Sequence, residues 1–125
     1  MRLLLDTHVL LWWLANDAAL GEEARSGISD PRSAVYVSAA TMWEISIKRA
    51  LGKLEAPRDL LYRIEKNRFE PLSMTVTHAQ AASALPRHHD DPFDRMLVAQ
   101  ALQEGLILLT RDPRMDPHGA ATMPV

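Results

Sequence analysis

With 125 residues, 47% of them hydrophobic and 24% charged, the chain has the size and composition of one domain, residues 1–125, around a single core. A formal charge of −2 gives no whole-molecule field to attract nucleic acid, so any such contact must rest on local patches or on bound cations. There are no cysteines, which excludes disulfides and thiolate metal sites and fits a reducing compartment. No apolar run approaches the roughly 20 residues of a membrane span; the leucines after Arg2 are interrupted by Asp6 and His8, unlike a signal peptide, and the reading is cytoplasmic.

In chain order, Leu3–Leu5 is a short buried strand closed by Asp6, and Val9–Ala15 a helix with Thr7 as its N-cap. A second helix covers Ala18–Ile28, up to the turn signal Asp30-Pro31. Ala34–Val37 is a β-branched strand. Ser38 then caps a helix over Ala39–Leu51 with Ala40, Trp43 and Ile47 along one face and Gly52 as its stop. Pro57–Asn67 is a helix with the face Leu60, Leu61 and Ile64; Phe69–Leu72 is a strand; Thr77–Leu85 is a helix ended by Pro86. Asp91 as N-cap and Pro92 at the first helical position open the last long helix, which runs to Glu104 with Gly105 after it. Leu106–Leu109 is a strand, and Ala121–Val125 a short edge strand after a stretch rich in Pro and Gly. Apolar strands alternating with helices predict an α/β fold: a three-layer α/β/α sandwich with a central, mainly parallel sheet of four or five strands.

On this pattern four acids fall near one edge of the sheet. Asp6 closes the first strand and Asp112 follows the Leu106–Leu109 strand, while Glu44 and Asp94 lie in the first turns of two helices. Each has a purely local reading. Asp6 suits a helix cap. Glu44 stands four residues before Lys48, a surface pair worth about 0.3–0.5 kcal/mol. Asp94 sits where a capping box places an acid, and Thr110-Arg111-Asp112-Pro113 is a turn. Together they occupy the edge where open parallel sheets bind ligands. Two like charges about 4 Å apart repel by about 4 kcal/mol at an effective dielectric of about 20, so such a cluster asks for a cation. Oxygen ligands alone suit Mg²⁺ or Mn²⁺. With one or two such ions, Asp6 is expected as the bridging or central ligand, with Glu44, Asp94 and Asp112 binding directly or through water, and the chemistry implied is metal-dependent phosphodiester cleavage.

These residues carry a resemblance over nearly the whole chain. Leu3-Leu4-Leu5-Asp6-Thr7-His8, then Ser38–Lys48 with Trp43-Glu44-Ile45, then His88–Ala101 with Asp91-Pro92-Phe93-Asp94-Arg95, and finally Leu109-Thr110-Arg111-Asp112, taken in that order, resemble the PIN domain, and specifically VapC-type toxin ribonucleases of bacterial toxin–antitoxin modules. The resemblance implies an Mg²⁺- or Mn²⁺-dependent endoribonuclease that cuts RNA and inhibits translation until an antitoxin covers its site. It carries over Asp6, Glu44, Asp94 and Asp112 as the acidic site, Thr110 as the residue that orients a carboxylate or water, and Asp91 as an auxiliary acid that matches a helix cap at least as well. It also implies a homodimer and a VapB-type antitoxin whose C-terminal segment lies over the cleft. The tail departs from the family pattern, since Met115-Asp116-Pro117-His118-Gly119 holds no aromatic residue.

Other residues invite other readings. Adjacent histidines such as His88 and His89 rarely face one ion, and no further His or Cys has ligand spacing, so a loop or substrate-contact role is expected over a zinc site. Arg95 and Arg111 flank two of the acids and suit either RNA phosphates or those carboxylates. Lys48, Arg49 and Lys53 read as a solvated or RNA-facing basic patch. Trp12 and Trp13 cannot share one helical face, so one is expected in the core and the other on an apolar partner surface. A phosphatase with an aspartyl nucleophile would need a second Asp where His8 stands, and a receiver-like module would need paired acids at the first strand and a late lysine; neither pattern is present.

Overall fold

Leu3, Leu4 and Leu5 are completely shielded from solvent, because the strand they form, β1 (Arg2–Leu5), lies in the middle of a sheet covered on both faces. The computed structural model describes residues 1–87, 90–123 and 125, with the backbone alone over 116–118. The remaining elements are α1 (Thr7–Leu14), α2 (Glu22–Ser29), β2 (Ala34–Ser38), α3 (Ala39–Ala50), α4 (Leu60–Lys66), β3 (Glu70–Leu72), α5 (Val76–Ala84), α6 (Pro92–Glu104), β4 (Ile107–Leu109), a 3₁₀ turn (Pro113–His118) and β5 (Thr122–Met123). The sheet order is β3-β2-β1-β4-β5, and each of the four pairings is parallel. The expected α/β/α sandwich is present, with five strands.

Alternation along the strands divides the core into two layers. Leu3 and Leu5 of β1, Val35 and Val37 of β2 and Leu109 of β4 pack with Val9 and Leu10, Ala24 and Ile28, Ile45, Leu60 and Ile64 from α1–α4. Leu4 and Leu108 point the other way, against Leu97, Val98 and Ala101 of α6. Each such fully buried aliphatic side chain contributes about 1.5–3 kcal/mol. Met115, from the 3₁₀ turn, is buried in the second layer, where its flexible thioether fills the core. Both edge strands are short, and β3 carries Pro71 where its missing N–H costs no ladder bond in the middle of the sheet.

Several element boundaries differ from those read in the sequence, each for a local reason. α1 begins at Thr7, because Asp6 and not Thr7 is the N-cap: its carboxylate accepts from Val9 N. α2 begins at Glu22 because Asp17 accepts from Ala19 N and holds the preceding residues in a turn. α4 begins at Leu60, with the Pro57 carbonyl accepting from Arg49 Nη1. Leu106 is outside β4 because its N–H returns to Ala101 O, after Gly105 has ended α6 at φ 66°, a left-handed turn natural to glycine. The last strand is limited to Thr122–Met123.

Candidate active site

The sheet changes direction at its centre: β1 has β2 on one side and β4 on the other. Beyond the carboxyl ends of β1 and β4 lies the crevice that this switch creates, the place where open parallel sheets bind ligands. α1 leaves that edge directly after β1, and α3 directly after β2. α6 runs back across the sheet to feed β4, so its first turn is there too. The amino ends of three helices therefore point at one edge, and their partial positive charges favour carboxylates placed there.

Asp6 is 6% exposed. Its backbone continues the β1–β4 ladder, with Asp6 N donating to Leu109 O at 3.1 Å, and one carboxylate oxygen accepts from Val9 N at 2.9 Å. The Thr110 hydroxyl lies near enough to act on this carboxylate and favour its charged form, and Thr110 Oγ1 accepts from Asp112 N at 3.1 Å. Thr110 thus couples the acid at the end of β1 to the acid beyond β4. Burial raises the Asp6 carboxyl above the ordinary carboxylate range; the hydrogen bonds from Thr110 and Val9 oppose this, and the nearby charge of Glu44 adds to it.

Glu44 is 5% exposed. Its Oε1 accepts from the Thr7 hydroxyl and its Oε2 pairs with Lys48 Nζ, both at 2.5 Å. α3 places Ile45 in the core, and that turns Glu44 toward α1. Lys48 is held in its charged form chiefly by Glu44, and Asp91 and Asp94 act on it in the same direction.

Asp91 caps α6, accepting from Phe93 N at 2.9 Å and Asp94 N at 3.1 Å. This fixes Asp94 in the first turn, partly buried. Asp112 accepts from Arg114 N and pairs with the Arg114 guanidinium at 2.8 Å. Arg114 is stabilised in its charged form by Asp112 first, and also by Asp94 and Asp91. Trp43, 58% exposed, meets Phe93 edge-to-face with ring centroids 5.6 Å apart. An aromatic pair therefore ties α3 to α6 beside Glu44 and Asp94.

Charge links the acids through two cations: Glu44 acts on Asp6, Lys48 answers Glu44 and more weakly Asp91 and Asp94, and Arg114 answers Asp112 and more weakly Asp94 and Asp91. Among the described residues no three His, Cys, Asp or Glu side chains stand in a closed metal-binding group. Asp6, Glu44, Asp91 and Asp112 each have a local hydrogen-bond or ion-pair partner, and Lys48 and Arg114 bring positive charge to the acids. The carboxylate oxygens of Asp6, Glu44, Asp94 and Asp112 are a donor set that fits a hard divalent cation, with His8 also near enough for its charge to act on Asp6.

Other residues singled out in the sequence have different places. Arg95 directs its guanidinium to the carboxyl end of α5, donating to Ala82 O and Leu85 O at 2.8 Å and to Pro86 O at 3.2 Å. Arg111 lies over the Trp12 ring at 4.4 Å and donates to Ala19 O and Val125 O. Both arginines satisfy backbone carbonyls, a use the sequence reading did not include. Neither Trp12 nor Trp13 forms an exposed apolar surface: both are partly buried, Trp12 beneath Arg111 and Trp13 against Phe69, with its indole N–H donating to Asn67. The basic patch dissolves into separate contacts, Lys48 with Glu44 and Arg49 with the Pro57 carbonyl. His88 and His89 lie outside the described residues.

Thr7 and Arg114 were not assigned to the site from sequence. For Arg114 the signal was its position two residues after Asp112 in a turn. For Thr7 the signal was its place beside Asp6 in the first block of the resemblance, but no local pattern links it to an acceptor 37 residues away.

The sequence model of the PIN domain matches residues 3–119. Ribonuclease VapC22 of Mycobacterium tuberculosis (strain ATCC 25618 / H37Rv) is 28% identical over 118 residues, covering 92% of this chain and 90% of that protein. Among solved structures, VapBC2 from Rickettsia felis bound to a DNA fragment from their promoter is similar in fold, with a TM-score of 0.72 at 11% identity and 98% of each chain covered. DNA-bound VapBC from Salmonella typhimurium gives a TM-score of 0.68 at 21% identity, over 98% of this chain and 97% of that one. A toxin–antitoxin complex from Klebsiella pneumoniae gives 0.65 at 19%, over 97% and 95%.

Proposed function

The chain belongs to the PIN domain family, and on that premise we propose that it is a VapC-type toxin: an endoribonuclease that uses Mg²⁺ or Mn²⁺ to cleave RNA and so inhibit translation. The observation that carries this reading is the pairing of buried Asp6 with buried Glu44 at the switch point of the sheet. Two buried carboxylates repelling each other are costly to keep for structure alone. The similarity to a mycobacterial ribonuclease over most of both chains supports RNA as the substrate.

Asp6 would be the bridging or central metal ligand, and Glu44, Asp94 and Asp112 would hold the ion directly or through water. When bound, the ion supplies charge stabilisation for the scissile phosphate and an acidified water. The chain's own residues prepare that site. Thr110 and Val9 N orient the Asp6 carboxylate, Thr7 orients Glu44, and Asp91 fixes the first turn of α6 from which Asp94 projects. Arg95 supports the same turn from behind by closing the end of α5.

The partners that accompany this reading are an RNA substrate, a VapB-type antitoxin that covers the site, and a second copy of the chain in a homodimer; the setting is the cytoplasm. No helix among the described residues is long and apolar enough to cross a membrane. The test is cleavage of total RNA by the purified chain with and without Mg²⁺. Cleavage that needs the ion and disappears in Asp6→Asn supports the proposal. Ion-independent cleavage, or cleavage surviving in that variant, refutes it.

A further inference from the structure

We infer that Lys48 is a built-in counter-cation which holds Glu44 until a divalent ion displaces it, so that the chain sets its own threshold for metal binding. The inference rests on the metal-site reading above and goes beyond it by naming the residue that opposes the ion.

An i,i+4 Glu–Lys pair is ordinarily a solvated surface contact of little consequence. This one is not on the surface. Glu44 is 5% exposed, and the Lys48 side chain keeps 35% of its surface in solvent while its nitrogen reaches 2.5 Å from Oε2. The other oxygen of Glu44 is engaged by Thr7. Both oxygens of a buried carboxylate are therefore occupied from within the chain, one by a neutral hydroxyl and the other by a full positive charge.

A divalent ion approaching Glu44 meets that ammonium at close range and in a partly desolvated setting, where charge–charge terms exceed their value in water. Thr7 presents no such obstacle. Asp94 and the cap residue Asp91 also act on Lys48, so the ammonium answers two of the carboxylates, Glu44 and Asp94, that an ion would draw on. Lysine suits a displaceable role: its charge is a compact point on a flexible stem. With a third of its side chain already in solvent, it can leave Glu44 without any core residue moving.

The competition appears as metal affinity, independently of cleavage. Chelator-treated, dialysed protein is titrated with Mn²⁺, following free Mn²⁺ by electron paramagnetic resonance and thermal unfolding in parallel. Lys48→Met, which keeps the aliphatic stem, is expected to bind Mn²⁺ on the order of tenfold more tightly than the parent, while Lys48→Arg, which keeps the charge, stays within about twofold. Lys48→Gln serves as a second neutral variant should the methionine variant fail to fold. Neutral variants with unchanged or weaker Mn²⁺ affinity, beside a parent that binds the ion, overturn the inference and leave the metal-site reading standing. A parent and neutral variants that all bind no Mn²⁺, or bind it no better than Asp6→Asn, overturn both.

Discussion

The hydroxyl of Thr7, the first residue of α1, donates to Oε1 of Glu44 in the second turn of α3. The two residues stand next to different strands, and the bond locks together the helices that leave them. Thr7→Val removes the donor while keeping the shape of the side chain. A residue that orients a metal-binding carboxylate typically alters affinity or activity about 10–100-fold, and RNA cleavage by this variant is expected to fall by that factor. Stability should drop by about 1–3 kcal/mol, since a buried acceptor loses its partner. Thr7→Ser restores the hydroxyl and should recover most of the rate. Single-turnover cleavage beside urea unfolding separates the two effects.

Asp6 gives a pH prediction whose sign runs against common expectation for acids. Its carboxyl is raised by burial, so the folded chain retains the proton to higher pH than the unfolded chain does. Below the ordinary carboxylate range both states are protonated and Asp6 contributes nothing. As pH rises through the window up to the raised value, the unfolded state loses its proton first and folding weakens; above that window the full penalty persists. Asn keeps the cap on α1, since its amide oxygen can still accept from Val9 N. In the presence of chelator, Asp6→Asn should therefore unfold at a higher temperature than the parent at neutral pH, with the difference shrinking as pH falls toward the ordinary carboxylate range. Adding Mn²⁺ should stabilise the parent and leave the variant unmoved. Thermal unfolding across pH, with and without the ion, provides the check.

How much of this could be read from the sequence depended on the distance over which each contact acts. The Leu3–Leu5 run had to be a two-sided buried strand, and Asp91-Pro92 had to open a helix, because burial and capping are written within a few residues. The resemblance placed the acidic positions for a similar reason: strand ends and helix starts are local marks. Contacts between elements left no such trace. Nothing near Arg95 says that the end of α5 packs against the first turn of α6, where three carbonyls need donors. Nothing near Arg111 foretells the Val125 carbonyl 14 residues on. Long basic side chains are poorly specified by local sequence, because their reach lets them satisfy whichever acceptor the fold brings close.

Arg95 is accordingly predicted to act on stability. Arg95→Met keeps much of the packing of the stem but leaves the Ala82, Leu85 and Pro86 carbonyls without this donor. Two of those bonds are partly buried, and each unsatisfied buried group costs about 1–3 kcal/mol. A lower urea midpoint is expected, by at least the equivalent of one such group. Cleavage per folded molecule, measured well below the transition, should stay within a few-fold of the parent. A phosphate-binding arginine would give the opposite pair of results, with stability preserved and the salt dependence of RNA binding reduced.

Asp91 offers a similar separation between helix cap and auxiliary acid. Its Oδ1 accepts from both Phe93 N and Asp94 N, so it sets where Asp94 begins and where the Phe93 ring meets Trp43. Asparagine caps helices about as well as aspartate, whereas alanine in that position costs about 1 kcal/mol. Asp91→Asn should thus keep the parent's unfolding temperature and cleave within a few-fold of it. Asp91→Ala should lose stability, and should lose cleavage as well through the displaced first turn of α6. The amide variant is the discriminating one, because it removes the charge and leaves the cap. If Asp91→Asn cleaved as poorly as Asp6→Asn while remaining folded, the charge on Asp91 would belong to the catalytic set and the cap would be secondary.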